Sequence, residues 1–174
     1  MMKPVWQWAL LGVLLLAPAT AVARHDPLSN EEIDQLREAA LDPEKRLKLY
    51  ADFARLRLTA IEEARTPKKP AADNPRSLHD LMEDFLAVYD ELDENVSMYE
   101  DRQADLRKAL KLVILADAEF HARLDGLQHN LTAPERTECD FVLSSVVEAV
   151  KTATAEHKKM LVEQEAAAKH KKKK

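Results

Sequence analysis

From Arg76 to Asp125 the chain carries no glycine and no proline, and one apolar stripe crosses the whole stretch. Counting in sevens from Leu78 gives Phe85, Leu92, Tyr99, Leu106, Val113, Phe120 and Leu127, all apolar. A second column reads Met82, Tyr89, Val96, Gln103, Leu110, Asp117 and Leu124. A stripe that holds one phase at this spacing predicts an amphipathic helix over about 77–128. Roughly 50 residues at about 1.5 Å each would reach about 75 Å, and the rest of the chain must cover its apolar side. Asp93-Glu94-Asn95-Val96-Ser97 is the weak point, because it gathers poor helix formers, and Ser97 with Glu100 repeats a capping pattern. A turn near 94–97 would split the helix. The unbroken phase through Leu92 and Tyr99 favours continuity.

The flanking segments read as partners for that spine. Ser29 with Glu32 forms a capping box, and the stripe Ile33, Ala40, Leu47, Ala54, Ile61 follows it. Asp42-Pro43-Glu44 interrupts this helix with a preferred cap and a first-turn proline. Because the stripe keeps its phase, the expectation is a kinked helix over about 29–65. Positions 66–75 (TPKKPAADNP) hold three prolines and no periodicity, so they read as the reversing connection. Thr132, Pro134 and Glu135 cap a last helix over about 133–168, with Cys139, Val142, Val146, Ala149, Ala153 and Met160 on its stripe. No window alternates with period two, so no strand is expected. The fold expected is all-α: an elongated antiparallel three-helix bundle or coiled coil with a kinked first helix and a long central one, the alternative being a four-helix bundle with a turn near 94–97.

Both ends of the chain lie outside this domain, which is expected to span 24–168. Lys3, the apolar run Trp8–Ala17, the break at Pro18 and the small residues Ala21-Val22-Ala23 make 1–23 a secretory signal peptide, cleaved after Ala23. No transmembrane segment is expected once it is removed. Lys169, Lys171, Lys172, Lys173 and Lys174 crowd the last six positions, and a block of like charge reads as a disordered, solvated tail over 169–174. That tail is also a candidate for attachment to an anionic surface. The net charge of −5 becomes −6 without Lys3, with 25 basic residues against 31 acidic ones, which argues against a nucleic-acid partner. Cys139 is the only cysteine. On an apolar stripe it reads as buried.

Much chemistry is excluded by composition. After the leader, Gly126 is the sole glycine, so phosphate-cradling and dinucleotide-binding loops are impossible. There is no Gly-x-Ser-x-Gly elbow, Cys-x-x-Cys, His-Glu-x-x-His or Glu-x-x-His. No enzyme and no cofactor is expected. Asp117, His121, Asp125 and His129 fall at successive fourth positions. Carboxylate and imidazole at that spacing can chelate a divalent metal, and Asp117, His121 and Asp125 are the metal-site alternative, with His157 as a ligand from another helix. A solvated face with local pairs is the plainer reading. Asn95-Val96-Ser97 and Asn130-Leu131-Thr132 match the glycosylation pattern and read as chance.

Asp42 to Tyr50 (DPEKRLKLY) and Glu165 to Lys173 (EAAAKHKKK), joined by an exported all-helical pattern, resemble a family of uncharacterised bacterial secreted all-helical proteins. The resemblance implies a periplasmic or extracellular location and an all-α fold, and it brings no activity. Leu28-Ser29-Asn30-Glu31-Glu32 lacks the Leu-Thr-x-x-Gln signature of periplasmic helical stress chaperones, so their function is not carried over. The expectation for function is a non-enzymatic exported protein acting by contact with a protein partner or an envelope component, a homodimer included. The alternatives are a periplasmic metal-binding or stress-response protein, and binding of an anionic surface through the lysine tail.

Overall fold

The computed structural model describes residues 26–66 and 76–171, and all regular structure among them is helical. The leader and its cleavage point, the connection 67–75 and Lys172–Lys174 lie outside the described residues. Five helices follow in order: α1 (Asn30–Glu38), α2 (Pro43–Ala64), α3 (Leu78–Asp101), α4 (Arg107–Asn130) and α5 (Ala133–Lys171). None is long and apolar enough to cross a membrane.

Side-chain caps start four of them where the sequence placed them. Glu32 N donates to Ser29 Oγ at 3.2 Å while Ser29 N donates to Glu32 Oε2 at 2.8 Å. Asp42 accepts from Lys45 N at 3.0 Å, with Pro43 opening α2. Ser77 and Asp80 exchange the same pair of bonds at the head of α3. Thr132 and Glu135 do so at α5.

The first helix is not kinked but folded back. After Glu38 a short turn closes with Asp42 N donating to Ala39 O at 3.0 Å. α1 then lies antiparallel on α2: Arg46 Nη1 donates to Leu36 O at 2.8 Å, and Arg57 Nη1 donates to Glu32 Oε1 at 2.7 Å. At this end the predicted stripe does not mark the buried face: Ile33 is half-buried and Ala40 is exposed in the turn, while Leu36 and Ala39 are buried. Phase alone does not report collinearity.

The central helix expected over 77–128 is two helices, and the break lies at 102–106 instead of 94–97. Gln103 takes φ 57°, the left-handed conformation that ends helices. Ala104 N donates to Tyr99 O at 3.0 Å and Gln103 N to Glu100 O at 2.7 Å, the paired bonds of a Schellman stop. Gln164 of α5 pins the loop from outside, accepting from Leu106 N at 2.9 Å and donating to Ala104 O at 3.2 Å. The weak formers at Asp93–Ser97 stay helical because tertiary contacts hold them. Val96 is fully buried, and Asn95 accepts from Arg46 Nε at 2.9 Å while donating to Glu91 O at 2.7 Å. The Asn95 amide is therefore occupied inside the fold.

α2 and α3 form one antiparallel hairpin, joined by Arg46–Asn95 and Tyr50–Glu91. α4 and α5 form a second, joined by Asp117–His157 and Lys111–Glu165. The hairpins pack side by side with like helices parallel. Arg55 meets Glu119 across α2 and α4, and Asp93 meets His157 across α3 and α5. α3 and α4 face each other diagonally through the core, where the rings of Phe85, Tyr89 and Phe120 meet at 5.6–6.1 Å. The heptad columns supply this core: Phe85, Leu92, Leu106, Val113 and Phe120 are fully buried. Each such side chain contributes about 1.5–3 kcal/mol by leaving water. Cys139 is buried among them.

The terminal tail expected to be disordered from Lys169 instead continues α5 to Lys171. Ala166-Ala167-Ala168 has the highest helix propensity available, Glu165 is tied to Lys111 at 2.8 Å, and lysines suit a helix C-terminus.

Candidate polar site in the bundle core

Two residues break the apolar packing at the centre of the bundle. Asp117 replaces a hydrophobe in the second heptad column of α4, and His157 does so between Ala153 and Met160 on α5. Both are fully buried, and they meet. A buried carboxylate left alone would be expensive by several kcal/mol, and here each of its oxygens has a donor. Tyr89 Oη donates to Asp117 Oδ1 at 2.9 Å from α3. His157 Nδ1 lies 2.9 Å from Asp117 Oδ2. A carboxylate only accepts, so Nδ1 carries a proton. The other ring nitrogen, Nε2, lies 3.1 Å from Oδ1 of Asp93 on α3, but off the line of a hydrogen bond, and it has no hydrogen-bond partner. Asp93 is partly exposed, so this chain of groups runs from the core to the surface.

The electrostatics follow from that arrangement. Burial works against charge on His157, yet the hydrogen bond to Asp117 and the attraction of the Asp117 and Asp93 charges outweigh it and push the imidazole up to about 9. Burial, then the Asp117 charge, pushes the Tyr89 hydroxyl far above its usual range. Tyr89 is thus a fixed neutral donor. His157 lines a groove of about 190 Å³ between α3 and α5, whose walls also include Asp93, Ser97, Glu100, Glu156 and Glu163. Ser97 is the only hydroxyl in that lining, and it is Asp93 that stands opposite Nε2.

The ladder proposed from sequence divides. Asp117 points into the core, whereas His121, Asp125 and His129 are exposed. A fourth-position series drifts around the helix by about 40° per step, which carries the later members onto the solvent side. His129 Nδ1 lies 2.7 Å from Asp125 O, a local bond along the helix. Asp117 is joined with His157, the residue named from another helix, and with Tyr89. Among the described residues, the group whose ligand atoms approach one another within 4.8 Å is His79, Asp80 and Glu83, at the exposed start of α3. Asp80 there already serves the α3 cap. Lys169 is exposed on the last turn of α5.

Tyr89 and Asp93 were missed by the sequence reading. Tyr89 passed as one more aromatic of a heptad column, and Asp93 as one acidic residue among many. The signal available was two polar residues in otherwise apolar stripes, which must find each other to be buried. Compared with protein-family models, with curated proteins and with solved structures, the chain matches none.

Proposed function

We propose that this is an exported protein whose α2–α5 form a four-helix bundle braced by α1, and that it acts by surface contact and not by catalysis. The observation that carries this reading is on the outer face of α4. Leu115 is 71% exposed and Leu112 39% exposed, and Ala118 and Ala122 continue the same exposed face. Three turns of a well-packed helix thus offer water an apolar stripe, flanked by Lys108, Lys111 and Asp125. Contiguous exposed apolar surface with a polar rim is the usual signature of an interface. The buried polar groups add support, since Tyr89, Asp117 and His157 are spent largely on one another. The leader and its small residues before Arg24 support export, with the mature chain in the periplasm or outside the cell.

A photo-crosslinking residue placed at 115 and activated in the producing cell tests the contact reading. A discrete adduct, with the chain itself or with an envelope protein, is expected from position 115 and not from the exposed Lys151. No adduct from 115, or the same adducts from both positions, would refute it.

A further inference from the structure

Beyond the contact surface, we propose that the groove between α3 and α5 is a site for a divalent transition-metal ion of the Zn²⁺ class, held between His157 Nε2 and Asp93 Oδ1 and oriented by Asp117. Three observations converge. The first is the buried Nε2 of His157, a residue that lines the groove: it has no hydrogen-bond partner, although a carboxylate oxygen of Asp93, which also lines the groove, stands 3.1 Å away. A proton needs a straight line between two atoms, and this pair does not provide one. A metal needs two lone pairs converging on a third point. Two bonds of about 2.0–2.1 Å meeting at roughly 100° separate their ligand atoms by about 3.1 Å.

The second is the carboxylate behind the ring. Asp117 Oδ2 holds the Nδ1 proton at 2.9 Å, which fixes the tautomer and turns the Nε2 lone pair outward. A carboxylate–histidine pair behind a metal is the usual way such ligands are positioned. Tyr89 in turn fixes Asp117. The third is the setting. The groove's volume of about 190 Å³ accommodates an ion with water ligands, and Glu100, Glu156 and Glu163 make its walls acidic, against one cation, Lys159. In binding, the metal takes the Nε2 lone pair and the proton resident there leaves to solvent, while the Nδ1 proton stays on Asp117's side. Metal and proton compete for the one Nε2 lone pair, so affinity rises with pH.

The test is calorimetric titration of the purified protein with Zn²⁺ at pH 6.5 and 8.5, with ring-nitrogen NMR of the histidines. The expected result is one ion per chain, tighter binding at the higher pH, and a shift of the His157 Nε2 resonance. Asp93→Asn, at a partly exposed position, keeps the fold and should weaken binding at least tenfold. Asp117→Asn should weaken it 10- to 100-fold. His79→Ala should leave it unchanged. Absence of binding, binding insensitive to Asp93→Asn, or loss of binding in His79→Ala would overturn the proposal. None of these outcomes bears on the α4 contact surface, which is tested separately.

Discussion

Replacing Asp117 by alanine removes the one acceptor that satisfies two buried donors. Asp117 and His157 expose essentially nothing, and Tyr89 is 1% exposed. Breaking a buried ionic pair from one side costs about 3–5 kcal/mol, because the surviving charge is left in a poor medium. An orphaned buried hydroxyl costs about 1–3 kcal/mol more. The two losses share a carboxylate and do not add fully, and His157 can shed its proton, so the expected loss is about 4 kcal/mol. That is a large share of the 5–15 kcal/mol typical of a domain. Urea unfolding followed by far-UV circular dichroism suits an all-helical chain, and with a slope of about 2 kcal/mol/M the midpoint should fall by about 2 M. The triple variant Tyr89→Phe, Asp117→Leu, His157→Leu distinguishes the cause. It removes every polar group at once, and similar replacements elsewhere are neutral or stabilising, so it should unfold within about 2 kcal/mol of the parent. A loss under 1 kcal/mol in Asp117→Ala would refute the assignment of the network to the core. A triple variant as unstable as the single one would show that shape, and not unpaired polarity, sets the loss.

Gln103→Gly should stabilise the chain by about 0.5 kcal/mol, since relief of left-handed strain of about 1 kcal/mol exceeds the added unfolded-state entropy; Gln103→Val should destabilise it, and thermal unfolding reads both, with a fall in melting temperature for the glycine variant refuting the stop at 102–106. Hydrogen bonds from Arg65, then from Thr132, hold the Glu135 carboxyl down at about 2. A depressed carboxylate contributes stability that is complete above about pH 4.5 and lost as pH falls through about 2. Part of the acid unfolding between these limits should therefore vanish in Glu135→Gln, and a variant with an unchanged acid profile would contradict the pairing. Arg46→Ala should free α1, because Arg46 bonds both Leu36 O and Asn95; amide exchange across 30–38 should accelerate at least tenfold while α4 and α5 keep their protection. N-terminal sequencing of the exported protein should begin at Arg24, and an intact Met1 would contradict cleavage.

The helices were legible because their signals are local. Ser29, Asp42, Ser77 and Thr132 each cap where expected, since a cap is a bond between residues three apart. The heptad columns marked the core for the same reason. The break at 102–106 was hidden because its stop residue is Gln103 and not glycine, and because Tyr99 and Leu106 remain seven apart across it. Heptad phase survives any interruption that leaves this spacing intact, so it could not tell one helix from two. The fold-back of α1 was hidden in the same way, since Arg57 reaches Glu32 across 25 residues.

The second heptad column did hold the missing information, in its two polar members. Gln103 departs from the apolar pattern because it lies in the turn, outside any helix. Asp117 departs because it is bonded inside the core. The same mark on one column has opposite structural causes, and only the partner decides between them. His157 is that partner, the one polar residue on the buried stripe of α5 between Ala153 and Met160. A polar residue at a buried heptad position implies either a turn or a matching polar residue elsewhere. Stripes read in pairs, and not one at a time, set Asp117 against His157 alone and leave His121 and Asp125 to the solvent face.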